Sequence, residues 1–87
     1  TSNRESGLGS YDIMIEPKRA GDAAFIIEFK VVHVKRNETL EDGVKAALQQ
    51  IEDKQYETVL LSRGTAPEQI RKYGFAFAGS QVLIGRA

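Results

Sequence analysis

The chain has 87 residues and a mass of 9.6 kDa, room for a single domain. With 41% hydrophobic and 28% charged residues it has the balance of a globular domain, which excludes a disordered tail or a collagen-like repeat. Lys plus Arg equals Asp plus Glu at 12 each, so histone-like or ribosomal binding driven by bulk positive charge is excluded as well.

Residues 1–10, TSNRESGLGS, are polar, carry Gly7 and Gly9, and read as a loop or a frayed strand. Residues 11–16, YDIMIE, form a short strand, and Pro17 and Gly21 punctuate the turn after it. Residues 24–34, AFIIEFKVVHV, give the strongest strand signal, rich in β-branched and aromatic side chains. A polar connection over 35–38 leads to a helix. Thr39 is its expected N-cap, with Asp42 three residues on, and Leu40, Val44, Ala47, Leu48 and Ile51 make one apolar stripe to about Asp53. Residues 56–61, YETVLL, read as a strand. Thr65, Glu68 and Pro67 read as the start of a short helix that ends near Tyr73, with Gly74 as its stop. FAFA and QVLI flank Gly79-Ser80, the signature of a hairpin with a type II′ turn.

The expected order is β–β–α–β–α–β–β. The short turn makes the first two strands antiparallel, and the helix over 39–53 is a crossover that makes the second and third parallel. The fold class is therefore α/β (α+β): a mixed sheet with a β-hairpin, a β-α-β crossover helix and a C-terminal β-hairpin. Cysteine is absent, so there is no disulfide framework, thiolate zinc site or cysteine nucleophile, and a reducing, cytoplasmic setting fits. Apolar runs fall far short of the ~20 residues that span a bilayer, so no membrane partner is expected. The chain starts at Thr1 rather than Met and reads as a fragment of a longer one.

The chemistry concentrates on residues 24–34. Side chains alternate along a strand, which puts Phe25, Ile27, Phe29 and Val31 on one face, the expected core. The other face holds Ile26, Glu28, Lys30 and Val32. A buried, unpaired charge costs several kcal/mol, so Glu28 and Lys30 need a partner or a function. E-x-K is a common tripeptide, and by itself it also reads as a half-exposed ion pair. The turn adds weight to the functional reading. A hairpin folding about residue 20 sets Asp12 opposite Glu28, and like charges directly across a ladder repel. A divalent cation between them removes the repulsion, and two carboxylates, a backbone carbonyl and waters make an ordinary Mg²⁺ environment. On the helix, Gln49 points away from the apolar stripe. Gln50 lies at its edge, in line with Gly43, Ala47 and Lys54, and so looks along the sheet toward Glu28 and Lys30, unless it is a plain boundary glutamine.

DIMIEP from Asp12, AFIIEFK from Ala24 and ALQQIEDKQY from Ala47 resemble the PD-(D/E)XK nuclease superfamily, most of all the nuclease-like domain found C-terminal to ATPase modules in many bacterial proteins. Asp-x15-Glu-x-Lys is moderately specific alone, and gains from the helix glutamine and the LLSRG and IRKYGFAFAG segments. The resemblance implies a restriction-endonuclease-like core lacking its first helix, and metal-dependent hydrolysis of phosphodiester bonds in DNA. It implies catalytic roles for Asp12, Glu28, Lys30 and Gln50. Asp12, Glu28 and the Phe29 carbonyl would hold Mg²⁺ or Mn²⁺, Lys30 would contact the attacking water or the scissile phosphate, and Gln50 would orient substrate or water. Ser10 stands where an Arg is expected, which removes a phosphate contact; Glu5 reads either as a further carboxylate or as a solvated loop residue. The implied partners are nucleic acid, and either a second copy in a homodimer or a missing N-terminal segment or ATPase domain. The rival reading is a nuclease-fold binding or regulatory module, or a dimeric scaffold attached to an ATPase, that has lost catalysis.

Other signals are weaker. His33 reads as an exposed strand end, Gly7-Leu8-Gly9 lacks the context of a phosphate loop, and the three tyrosines are scattered. Charge is uneven: residues 38–57 hold six acids against Lys45 and Lys54. Lys18, Arg19, Lys35, Arg36, Arg63, Arg71 and Lys72 are left as candidates for a basic rim.

Overall fold

The computed structural model describes residues 2–5, 10–19 and 21–87, with side chains from Asp12 on. The chain runs through β1 (Ser2–Glu5), β2 (Ser10–Ile15), β3 (Ala24–Val31), a 3-10 turn (Val34–Arg36), α1 (Leu40–Asp53), α2 (Tyr56–Ser62), a second 3-10 turn (Pro67–Gln69), β4 (Ile70–Ala78) and β5 (Gln81–Arg86). The strands form one sheet in the order β1-β2-β3-β4-β5. Every pair is antiparallel except β3–β4, which is parallel and joined through the two helices. This is the expected mixed sheet with two hairpins and a crossover, but the crossover leads to β4 and not to a parallel strand over 56–61. The Gly7-Leu8-Gly9 segment lies outside the described residues, as does the Glu5 side chain.

α1 forms where its pattern puts it. The Thr39 hydroxyl accepts a hydrogen bond from the Asp42 N–H at 3.0 Å, capping the first turn. Gly43, Val44, Ala47 and Ile51 are buried against β3 and β4. One cluster joins Met14, Ala24, Ile26, Ile51 and Leu60, and a second joins Val32, Val44, Ala76 and Ala78; Leu48 packs against both. At the C-terminal hairpin Ala78 pairs with Gln81, and Gly79 takes φ +61° while Ser80 does not, as a type II′ turn requires.

Several expectations are corrected. Residues 56–62 are helix, not strand. Tyr56, Val59 and Leu60 stand at i, i+3 and i+4 and pack together on the Ile26–Ile51 cluster, so the helical period outweighs the β-branched composition. Gln55, with φ +56°, turns the chain between the two helices. The segment read as a helix ending near Tyr73 is a single 3-10 turn, and β4 already begins at Ile70. Its cap is Ala66, whose N–H donates to Gln69 Oε1 at 2.9 Å. β3 stops at Val31, short of Val34.

Gly74 is no helix stop. It lies inside β4 beneath α1, where an added Cβ would come within 3.0 Å of the Val44 carbonyl oxygen and 3.1 Å of Ala47 Cβ. Its missing side chain, with those of Gly43 and Gly85, lets the helix settle on the sheet.

The faces of β3 are also reversed. Ala24, Ile26, Glu28 and Val32 lie buried under α1, while Phe25, Ile27 and Phe29 are only half-buried and Val31 is exposed. Small and branched residues fit beneath a closely seated helix. The large rings instead pack among themselves on the opposite face, with Phe29 tilted against Phe75 at 5.1 Å and stacked against Phe77 at 6.0 Å, and Phe25 stacked against Tyr73 at 6.4 Å. Val82 and Ile84, alternate residues of β5, are exposed.

Candidate functional site

The β2–β3 ladder runs from Ser10 opposite Lys30 to Ile15 opposite Phe25, and this register makes Asp12 the partner of Glu28. Both carboxylates lie under the helices, Asp12 2% exposed and Glu28 fully buried. The C-terminal turn of α1 hangs above them. Gln49 faces outward and donates to Asp53 Oδ1 at 3.0 Å, whereas Gln50 turns inward. Lys54, the C-cap of α1, stands one turn beyond Gln50 and reaches both acids: its Nζ is 2.5 Å from Asp12 Oδ2 and 3.4 Å from Glu28 Oε1.

Burial pushes the Glu28 carboxyl up to about 7, the Lys54 ammonium pulls against that rise, and the adjacent Asp12 carboxylate adds to it. Two buried oxygens, Glu28 Oε2 and Gln50 Oε1, have no hydrogen-bond partner among the described residues. Buried acceptors are normally satisfied, so each of these oxygens calls for a water or an ion as its partner. Both are hard oxygen ligands beside a second carboxylate, a donor set that suits Mg²⁺ or Mn²⁺. Among the described residues no three His, Cys, Asp or Glu side chains gather to hold a metal. Two acids, the Gln50 amide oxygen and backbone are therefore the protein ligands on offer.

Lys30 lies two residues beyond Glu28 on the same strand face. It is half-buried and makes no ion pair or side-chain hydrogen bond among the described residues. The Phe29 ring belongs to the opposite, aromatic face, so only its backbone could serve the acids. The hairpin thus brings Asp12 and Glu28 together, with Lys30 two residues along β3 and Gln50 one helical turn before the Lys54 that contacts both acids.

Sequence reasoning missed two contributors. Lys54 was visible on the helical line of Gln50, a cation aimed at the same place as two anions. Gly74, the ladder partner of Glu28, leaves open the space that the helix occupies. The basic rim is smaller than expected. Lys72 bonds Glu52 at 2.8 Å and also Glu57, Arg63 pairs with Glu16, and Arg71 donates to the Glu68 carbonyl at 2.8 Å. Lys35 and Arg36 remain exposed and line a hollow with Val32, His33 and Gly79. His33 is exposed, and its backbone N–H donates to Glu38 Oε1 at 2.9 Å.

No helix among the described residues is long and apolar enough to cross a membrane. A family model described as the PD-(D/E)XK nuclease superfamily matches residues 1–87. No curated protein and no solved structure matches the chain.

Proposed function

The chain belongs to the PD-(D/E)XK nuclease superfamily, and from that premise we propose that it is a divalent-metal-dependent phosphodiesterase acting on DNA. Its mixed sheet and crossover helices are consistent with a restriction-endonuclease-like fold. The observation that carries the reading is the facing pair Asp12 and Glu28, buried together with the orphaned oxygens of Glu28 and Gln50.

In this reading Asp12, Glu28 and the Phe29 carbonyl hold Mg²⁺ or Mn²⁺. The cation supplies Lewis acidity toward the phosphate and its attacking water. Gln50 orients water or substrate through its inward-facing amide. Lys30 stands about 6.6 Å along the strand from Glu28 and offers a fixed positive charge to the oxygens on which negative charge builds. Lys35 and Arg36, exposed beyond the end of β3, would offer positive charge to backbone phosphates.

A second reading has a specific observation behind it. The Lys54 ammonium already stands between the two acids, as it would in a nuclease-fold module that binds without cutting. Incubation of supercoiled plasmid and single-stranded DNA with the protein in Mg²⁺ or Mn²⁺ separates the two. Cleavage by wild type that is lost in Asp12→Asn supports the enzyme. Intact DNA in both metals, with folded protein still binding it, selects the non-cutting module.

A further inference from the structure

We infer that Lys54 is a built-in counter-cation, which holds the Asp12–Glu28 pair while no metal is bound and yields its place when a divalent cation enters. The inference rests on the metal-site reading above. Once both are ionised, carboxylates facing each other across a ladder repel, and the Lys54 ammonium, in contact with both, relieves that repulsion without a metal.

The ammonium is an incomplete substitute. It leaves Glu28 Oε2 and Gln50 Oε1 without partners. Its three N–H donors meet at most about three acceptors, whereas a divalent cation gathers about six oxygens. A divalent cation at the Asp12–Glu28 pair therefore satisfies acceptors, Glu28 Oε2 first, that Lys54 leaves bare.

Lys54 is also built to leave. It caps α1 rather than lying within it, and its side chain is 23% exposed above acids that are almost wholly buried. Four methylenes give the ammonium a route to solvent that needs no movement of the helix. Lys30 is the complementary case, a strand lysine held beside the acids rather than between them. The two lysines divide the work: Lys30 serves the substrate, and Lys54 serves the metal-free state. Because entry of metal displaces an internal cation, Lys54 weakens metal binding and sets a threshold concentration for it.

The test is calorimetric titration of Mn²⁺ into wild type, Lys54→Met and Lys54→Gln, with circular dichroism and melting curves to establish folding. Removal of the ammonium should tighten Mn²⁺ binding at least tenfold. It should also lower the melting temperature of the metal-free protein and enlarge the rise that Mn²⁺ produces. Equal or weaker binding in a folded variant overturns the inference and leaves the metal site standing. Absence of Mn²⁺ binding in wild type and in both variants overturns the two together. Should neither variant fold, wild type alone decides by nitrogen-15 NMR of the lysine ammonium groups. A protected Lys54 signal that vanishes on addition of Mg²⁺ supports displacement, and one that persists at saturation refutes it.

Discussion

Gly74 is the parallel-ladder partner of Glu28, and the Val44 carbonyl oxygen comes within 3.0 Å of where a Gly74 Cβ would stand. The residue beside the buried acid is thus one of the glycines, with Gly43 and Gly85, that admit α1, and α1 carries Lys54 to that acid. Gly74→Val should force the helix off the sheet, with an overpacking cost on the order of 1–3 kcal/mol. Urea denaturation measures the loss. Calorimetry should show weaker Mn²⁺ binding, because Gln50 moves with the helix.

Glu28 gives the metal-free protein a characteristic pH dependence. Its carboxyl is raised in the fold from the usual 4.5 to about 7, so the folded state holds a proton that the unfolded state has released. The contribution is fully present below about 4.5 and is lost as pH rises through about 7. Wild type should therefore lose stability relative to Glu28→Gln between these values, measured by denaturation in the presence of a chelator. A constant difference between the two proteins across that range would contradict the assignment.

The β2–β3 register was legible because a short hairpin leaves few ways to pair, and with it came the facing of Asp12 and Glu28. The stripe of α1 was legible too, down to the opposite orientations of Gln49 and Gln50. The choice of core face on β3 was not. Both faces are largely apolar, and only the seating of α1 shows that Ile26 and Glu28 go under the helix while Phe25 and Phe29 do not. YETVLL misled because its composition favours a strand while the spacing of Tyr56, Val59 and Leu60 is helical. Gly74 misled because a glycine that ends a helix and one that admits a helix look alike in sequence. Lys54 went unassigned because its partners lie 42 and 26 residues away and meet only in the folded chain.

Leu60 tests the helical reading of the 56–62 segment. It is fully buried, with Ile26 and Ile51 in the same cluster. Leu60→Ala should cost about 2–5 kcal/mol, whereas truncation of the more exposed Leu61 should cost far less. Comparable losses at the two positions would fit a strand with both faces covered, and would contradict the helix.

The Thr39 cap makes a smaller, local claim. Thr39→Ala removes the acceptor for the Asp42 N–H and should cost about 1 kcal/mol. Thr39→Ser, which keeps the hydroxyl, should recover most of the loss in thermal or urea unfolding.

In the proposed cleavage site Asp12 and Glu28 hold the metal, and Lys30 acts on the substrate rather than on the metal. The most direct measurement pairs a DNA cleavage assay in Mn²⁺ with calorimetric Mn²⁺ affinity for wild type, Lys30→Ala and Asp12→Asn. Lys30→Ala should cut about 10²–10³ more slowly with nearly unchanged metal affinity, since one preorganised donor to the transition state is lost. Asp12→Asn should lose metal affinity and activity together. Cleavage by Lys30→Ala at the wild-type rate would contradict the account.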